Sequence, residues 1–140
     1  MLYPKTIEQK LGFDKLRERL KEACISPLGV SYVEKIRFSD NFSMVEKLVS
    51  QTAEMKKILE IGENFPSQNY LDVTTSLHSV TIEGMVLTQS EFSDIKVSLQ
   101  TILLCLRFFA NQEAEAFPLL GEYAKQINVD KAITDAIDKV

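Results

Sequence analysis

The longest apolar periodicity in the chain runs over residues 88–111, TQSEFSDIKVSLQTILLCLRFFAN. Phe92, Ile95, Leu99, Ile102, Leu106 and Phe109 recur at alternating spacings of three and four, which places all six on one stripe of a helix of about six turns. Thr88 stands where an N-cap belongs, Glu91 completes a capping box three residues later, and Asn111 supplies a stop. From Ile102 onward Leu103, Leu104, Cys105 and Phe108 carry apolar character round the other faces, so neighbouring helices are expected to enclose this half.

The remaining pattern is also helical. Thr6 and Gln9 have capping-box spacing ahead of a short helix that ends at Gly12. Asp14 is placed to cap a second helix reaching Cys24, with Phe13, Leu16, Leu20 and Cys24 inward and Lys15, Arg17, Glu18, Arg19, Lys21 and Glu22 in solvent. Ser26-Pro27 opens a third helix to Ile36, because the serine can cap and the proline loses nothing at the first helical position. Its inner face reads Leu28, Tyr32, Val33 and Ile36, with Phe38 tucked in after it.

The segment SDNFS offers several caps for a fourth helix to Ile61, with Gly62 as terminator and a stripe of Val45, Leu48, Thr52, Met55 and Leu59. Thr52 is expected to bond its own preceding turn. GENFPSQNYL is a loop anchored by Phe65 and Tyr70, and Asp72 caps a brief turn through Val73 and Leu77. Val80, Ile82, Val86 and Leu87 around Glu83-Gly84 predict a short extended or hairpin-like segment over 80–87. Pro118 opens a further helix returning Phe117, Leu120, Tyr123, Ala124 and Ile127 to the core, and Asp130 caps a last one carrying Ile133 and Ile137. The fold class is thus all-α: one helical domain over residues 1–140, an irregular bundle of about five to seven helices.

With 140 residues, 45% of them apolar, the chain is long enough to bury roughly two thirds of its unfolded surface. No secretory leader, membrane span or lipidation signal is visible, which points to a cytoplasmic protein with no membrane partner. Cys24 and Cys105 fall at apolar helical positions and read as buried thiols. The net charge is -4 but uneven: residues 1–40 hold eight basic against six acidic side chains, net +2, and the other hundred hold eight against fourteen, net -6. Arg17, Arg19 and Lys21 could form a phosphate-contacting patch, but the acidic residues between them favour the wet side of an amphipathic helix. Autonomous DNA binding by these residues is therefore expected to be weak or absent.

Catalytic, cofactor-binding and metal-ligating candidates are all lacking. The five glycines form neither a GxxxxGK[ST] loop nor a GxGxxG turn. His78, the one histidine, has no Cys or His at ligand spacing, and a nucleophile pair would have to join it to Cys24 or Cys105, whose positions packing already explains. The pattern supports a scaffold, a self-contained helical module that binds a protein partner, or, least well, a small enzyme or ligand-binding bundle, which would need polar groups converging in the seam.

Three stretches narrow this: YPKTIEQKLGFDKLRERLKEACISPLG at 3–29, QTAE at 51–54, and DVTTSLHSVTIEGMVLTQSEFSDIKVSLQTILLCLRFF at 72–109. Their order and spacing, counted from Met1, resemble the N-terminus of the bacterial MutS-paralogue family, the branch without the mismatch-recognition domain of mismatch-repair MutS. The ending AITDAIDKV resembles the opening of that family's I-x-x-x-I-D-x-x-G pattern. The resemblance implies the core and lever scaffold of a longer, homodimeric, DNA-binding ATPase that uses ATP and magnesium and suppresses recombination on branched DNA. It also implies a C-terminal nuclease domain in many members and a role on collided ribosomes in some. No catalytic residue carries over, since the nucleotide loop, the clamp and the nuclease domain would all lie beyond Val140.

Overall fold

The computed structural model describes residues 6–61, 65–66, 68–113 and 115–137, the side chains of residues 131, 134 and 137 excepted. Eight helical segments follow one another: α1 (Ile7–Lys10), α2 (Phe13–Glu22), α3 (Pro27–Lys35), α4 (Phe42–Ile61), α5 (Thr74–Ser79), α6 (Gln89–Ala110), α7 (Pro118–Gln126) and α8 (Lys131–Ile137). With α1 a single turn, seven are longer, and the all-α expectation holds. No strand occurs among the described residues. The stretch expected to be extended instead coils through consecutive turns, Thr81 N–H to His78 O, Ile82 N–H to Ser79 O and Met85 N–H to Ile82 O. Gly84 supplies the left-handed φ of 83° that such a reversal needs.

The helices form two groups. Helix α2 packs on α1 and α3, whereas α6 packs on α5, α7 and α8, and α4 packs on α7 alone. Among the described residues no helix of the first three packs directly on a later one. The connection at 36–41 instead leaves the two groups facing each other across a groove.

Local signals explain most of the helix starts. Thr88 Oγ1 accepts the Glu91 N–H while the Glu91 carboxylate accepts the Thr88 N–H at 2.8 Å, so the capping box of α6 forms as its sequence requires. Ser26 Oγ accepts the Gly29 N–H at 3.2 Å, with Pro27 at the first helical position of α3. Asn41 is the SDNFS residue that caps α4, taking the Met44 N–H at 3.0 Å. Asp72 accepts from Thr74 N and Asp130 from Ala132 N. Three expected N-caps differ: Val73, not Asp72, holds the N-cap position of α5, without a side-chain cap bond. The Thr6 side chain makes no cap bond, and Gly12, at φ 73°, takes the N-cap of α2 and moves Asp14 into the first turn. There its charge still meets the positive end of the helix dipole.

The core is far smaller than the sequence led us to expect. Among the described residues only Ile58, Phe117 and Thr101 are fully buried. The chain exposes 11193 Å², against about 7,400 Å² for a compact monomer of this mass. It therefore buries about half, not two thirds, of what its unfolded chain would expose. Several residues expected inward are accordingly outside, among them Leu16, Leu28, Tyr32, Ile36, Phe38, Tyr123, Ile127 and Ile133. In α4 the expected stripe fails: Val45, Leu48 and Leu59 are exposed, and the covered face is Gln51, Glu54, Met55 and Ile58. Nor is the second half of α6 enclosed, since Ile102 and Leu104 stand 40% and 50% exposed. Gly62, expected to end α4, and the side chain of Ile137 lie outside the described residues.

Candidate functional site

Three seams hold the helices together within their groups. In the first, α7 begins at Pro118 after Phe117, whose side chain cannot cap, leaving first-turn N–H groups to be satisfied from elsewhere. Glu54 on α4 does so, accepting the Leu119 N–H at 3.0 Å and the Leu120 N–H at 2.8 Å. A carboxylate there also meets the positive end of the α7 dipole. On either side the Lys57 ammonium lies 5.4 Å from the centre of the Phe117 ring and the Lys47 ammonium 5.1 Å from that of Tyr123. Hydrogen bonding with Gln51, and then with Lys47, holds the Tyr123 phenol below its ordinary pKa.

The second seam fastens the loop before α5 to α6. Phe65 meets the edges of Phe108 and Phe109 at centroid distances of 5.1 and 6.0 Å, and Phe108 reaches Phe117. Tyr70 donates to the Pro66 carbonyl and sits 3.7 Å from Cys105 Sγ. Burial, with Cys105 beside it, pushes the Tyr70 phenol up. Asn69 adopts a left-handed φ of 66°, which turns its carbonyl to within 3.4 Å of Thr101 Oγ1. That hydroxyl has one proton to donate and the nearer acceptor is Val97 O at 3.0 Å, so the one fully buried polar side chain among the described residues is satisfied. Phe65 and Tyr70 thus anchor the loop as their sequence context predicts.

The third seam overturns the assignment of Arg17 to the solvent face of α2. Its guanidinium donates to Val33 O at 2.9 Å and Ile36 O at 3.0 Å, closing the C-terminal end of α3. It also pairs with Glu8 at 3.1 Å and lies 5.0 Å from the Phe13 ring centre. Lys21 bridges Glu18 and Glu34, and those hydrogen bonds raise its pKa. Two of the three cations that might have met phosphate are therefore engaged in holding α1, α2 and α3 together.

The chemically versatile residues are dispersed. His78 is exposed in the last turn of α5. Cys24 and Cys105 are free, half-buried thiols, Cys24 lying 3.2 Å from the Leu20 carbonyl. Among the described residues no three of His, Cys, Asp and Glu are grouped to hold a metal ion, and no helix is long and apolar enough to cross a membrane. Thr52 donates to Leu48 O at 2.8 Å, its own preceding turn. The residues that organise the frame, Glu54 and Arg17, lie in stretches the resemblance picked out, QTAE and residues 3–29, but nothing in those stretches announces the role of either. For Glu54 the one physical signal was an omission, the proline-started α7 with no capping side chain of its own; for Arg17 there was none.

Comparison with known proteins gives this frame a setting. The chain is 30% identical over 131 residues to Endonuclease MutS2 of Geobacillus sp., an alignment that takes in 92% of the chain. It is homologous to a segment of the MutS2 proteins. The proteins of the same name from Halalkalibacterium halodurans and Listeria welshimeri are each 27% identical over 135 residues, covering 91% and 95% of the chain. In each case the chain spans 17% of the MutS2 relative's length. No family model and no solved structure matches it.

Proposed function

We propose that this chain is a helical scaffold segment, a single domain without catalytic residues of its own, within a longer MutS2-like protein. That protein would bind branched DNA as a cytoplasmic homodimer and hydrolyse ATP in DNA repair and the suppression of recombination. Nucleotide, magnesium and any nuclease chemistry would be the work of other parts of it. The observation carrying this reading is the mismatch between two helix groups, each fastened within itself, and a surface of 11193 Å². Such a frame is what a scaffold offers to neighbouring parts of a larger molecule, and the span of 17% of the MutS2 relatives agrees with it.

The reading frame itself tests the proposal. Continuation past Val140 to a GxxxxGK[ST] loop is expected; a stop codon immediately after Val140 would overturn it. It would leave the second reading, a self-contained module that docks a protein partner through exposed apolar side chains such as Leu104.

A further inference from the structure

An unfilled apolar groove lies between the two helix groups. It holds about 480 Å³ and is lined by Leu11 and Phe13, by Val45 and Val49 of α4, and by Ile36 and Phe38 of the connection after α3. Leu11, Phe38 and Val49 are 77%, 61% and 63% exposed.

A small-molecule site of this size would place a few polar groups to orient its ligand. Glu8 and Arg37 are the polar residues at this groove, and both are engaged, Glu8 with Arg17 and Arg37 with the carbonyls of Glu34 and Ile36. Helices α1, α2 and α4 supply Ile7, Phe13, Val45 and Val49 to its lining, and no strand lies among the described residues to offer a sheet edge to an extended peptide. What fits is the apolar stripe of another helix, anchored by large side chains at i, i+3 or i+4 and i+7.

Area favours further polypeptide over a second copy. The surplus over a compact monomer is about 3,800 Å² per chain, whereas obligate dimers hide about 2,000–5,000 Å² over both partners, or half that per chain. A second copy would leave much of the surplus uncovered.

We infer that this groove is the seat of an amphipathic helix supplied by polypeptide outside the 140 residues, inserting aliphatic or aromatic side chains between α1–α2 and α4. The inference rests on the scaffold reading and specifies the surface by which the segment joins the rest.

Hydroxyl-radical footprinting of Phe38 and Leu11 in the 140-residue chain and in the product of the longer reading frame tests it. Oxidation of both is expected to fall about tenfold in the longer product, as for side chains taken from solvent into a packed seam. Equal rates in the two would overturn the inference while leaving the scaffold reading standing. Sedimentation of the 140-residue chain supplies the second arm. A monomer whose Phe38 stays reactive from dilute to concentrated solution is expected. A dimer that protects Phe38 and is dissolved by Phe38→Asp would give the groove to a second copy and overturn the inference.

Discussion

Glu54, in the middle of α4, accepts the backbone N–H of Leu120 at 2.8 Å across 66 positions of sequence. With the Leu119 N–H bound by the other carboxylate oxygen, one side chain closes the start of α7 and joins it to α4. Glu54→Ala is expected to cost about 1–3 kcal/mol, since two partly buried donors lose a charged acceptor. Glu54→Gln keeps one carbonyl oxygen and should recover part of that loss. Denaturant titration of the three proteins checks the order, and equal stability of the alanine and glutamine variants would show that hydrogen bonding there does not matter.

Arg17 should behave as a clamp rather than as a ligand for phosphate. Arg17→Lys retains the charge but cannot span two carbonyls and Glu8 at once, so a loss of about 1–3 kcal/mol is expected. Hydrogen exchange should then quicken in α3, whose last carbonyls Arg17 holds. Binding of branched DNA by the 140-residue chain should stay in the nonspecific range, about 10⁻⁴–10⁻⁶ M at physiological salt. Nanomolar binding that weakens steeply with salt would contradict the engaged state of Arg17 and Lys21.

The start of α6 is expected to be acid-sensitive. The Thr88 N–H, and then its hydroxyl, hold the Glu91 carboxyl below its ordinary pKa. Because the folded value is the lower one, the stabilisation is fully present above the unfolded value of about 4.3 and is lost as pH falls through the folded one. Wild type should exceed Glu91→Gln in melting temperature at neutral pH, and the gap should shrink as pH drops below about 4.3. Thr88→Ala, which removes the other half of the box, should cost about 1 kcal/mol.

Apolar truncations should divide sharply by position. Ile58→Val, at 1% exposure, is expected to cost about 0.5–1.5 kcal/mol. Leu104→Ala, at 50% exposure, should change stability of the 140-residue chain by no more than about 0.5 kcal/mol. Thermal melts of the two variants suffice to compare them.

What the sequence made legible was local. The capping box at Thr88 and Glu91, the Ser26-Pro27 start and the back-bonded Thr52 each depend on residues within one turn, and each formed. Phe65 and Tyr70 were found because aromatics in a polar loop have few other uses. What stayed hidden was long-range. The stripe Val45, Leu48, Thr52, Met55 and Leu59 is as regular as the face that packs, but α7 selects the face holding Glu54 because its uncapped start needs a carboxylate. Arg17 looks like any surface arginine until α3 ends beside it. The β-branched run near Val80 read as extended because its turn rests on hydrogen bonds that side-chain type does not announce. Periodicity reports that a helix has a face to cover, without reporting what covers it.

The pairing of α4 with α7 alone also sets an order of assembly. Helix α4 is complete at Ile61, yet its partner begins at Pro118. A chain made from its N-terminus can close α1, α2 and α3 upon one another early, because their contacts are near in sequence. Helix α4 must then wait, its Glu54 carboxylate in water, until the whole of α6 and the start of α7 have been synthesised. The seam that ties α4 to the rest of its group is thus among the last to form, and its closure sets the far wall of the groove that α1, α2 and α3 face.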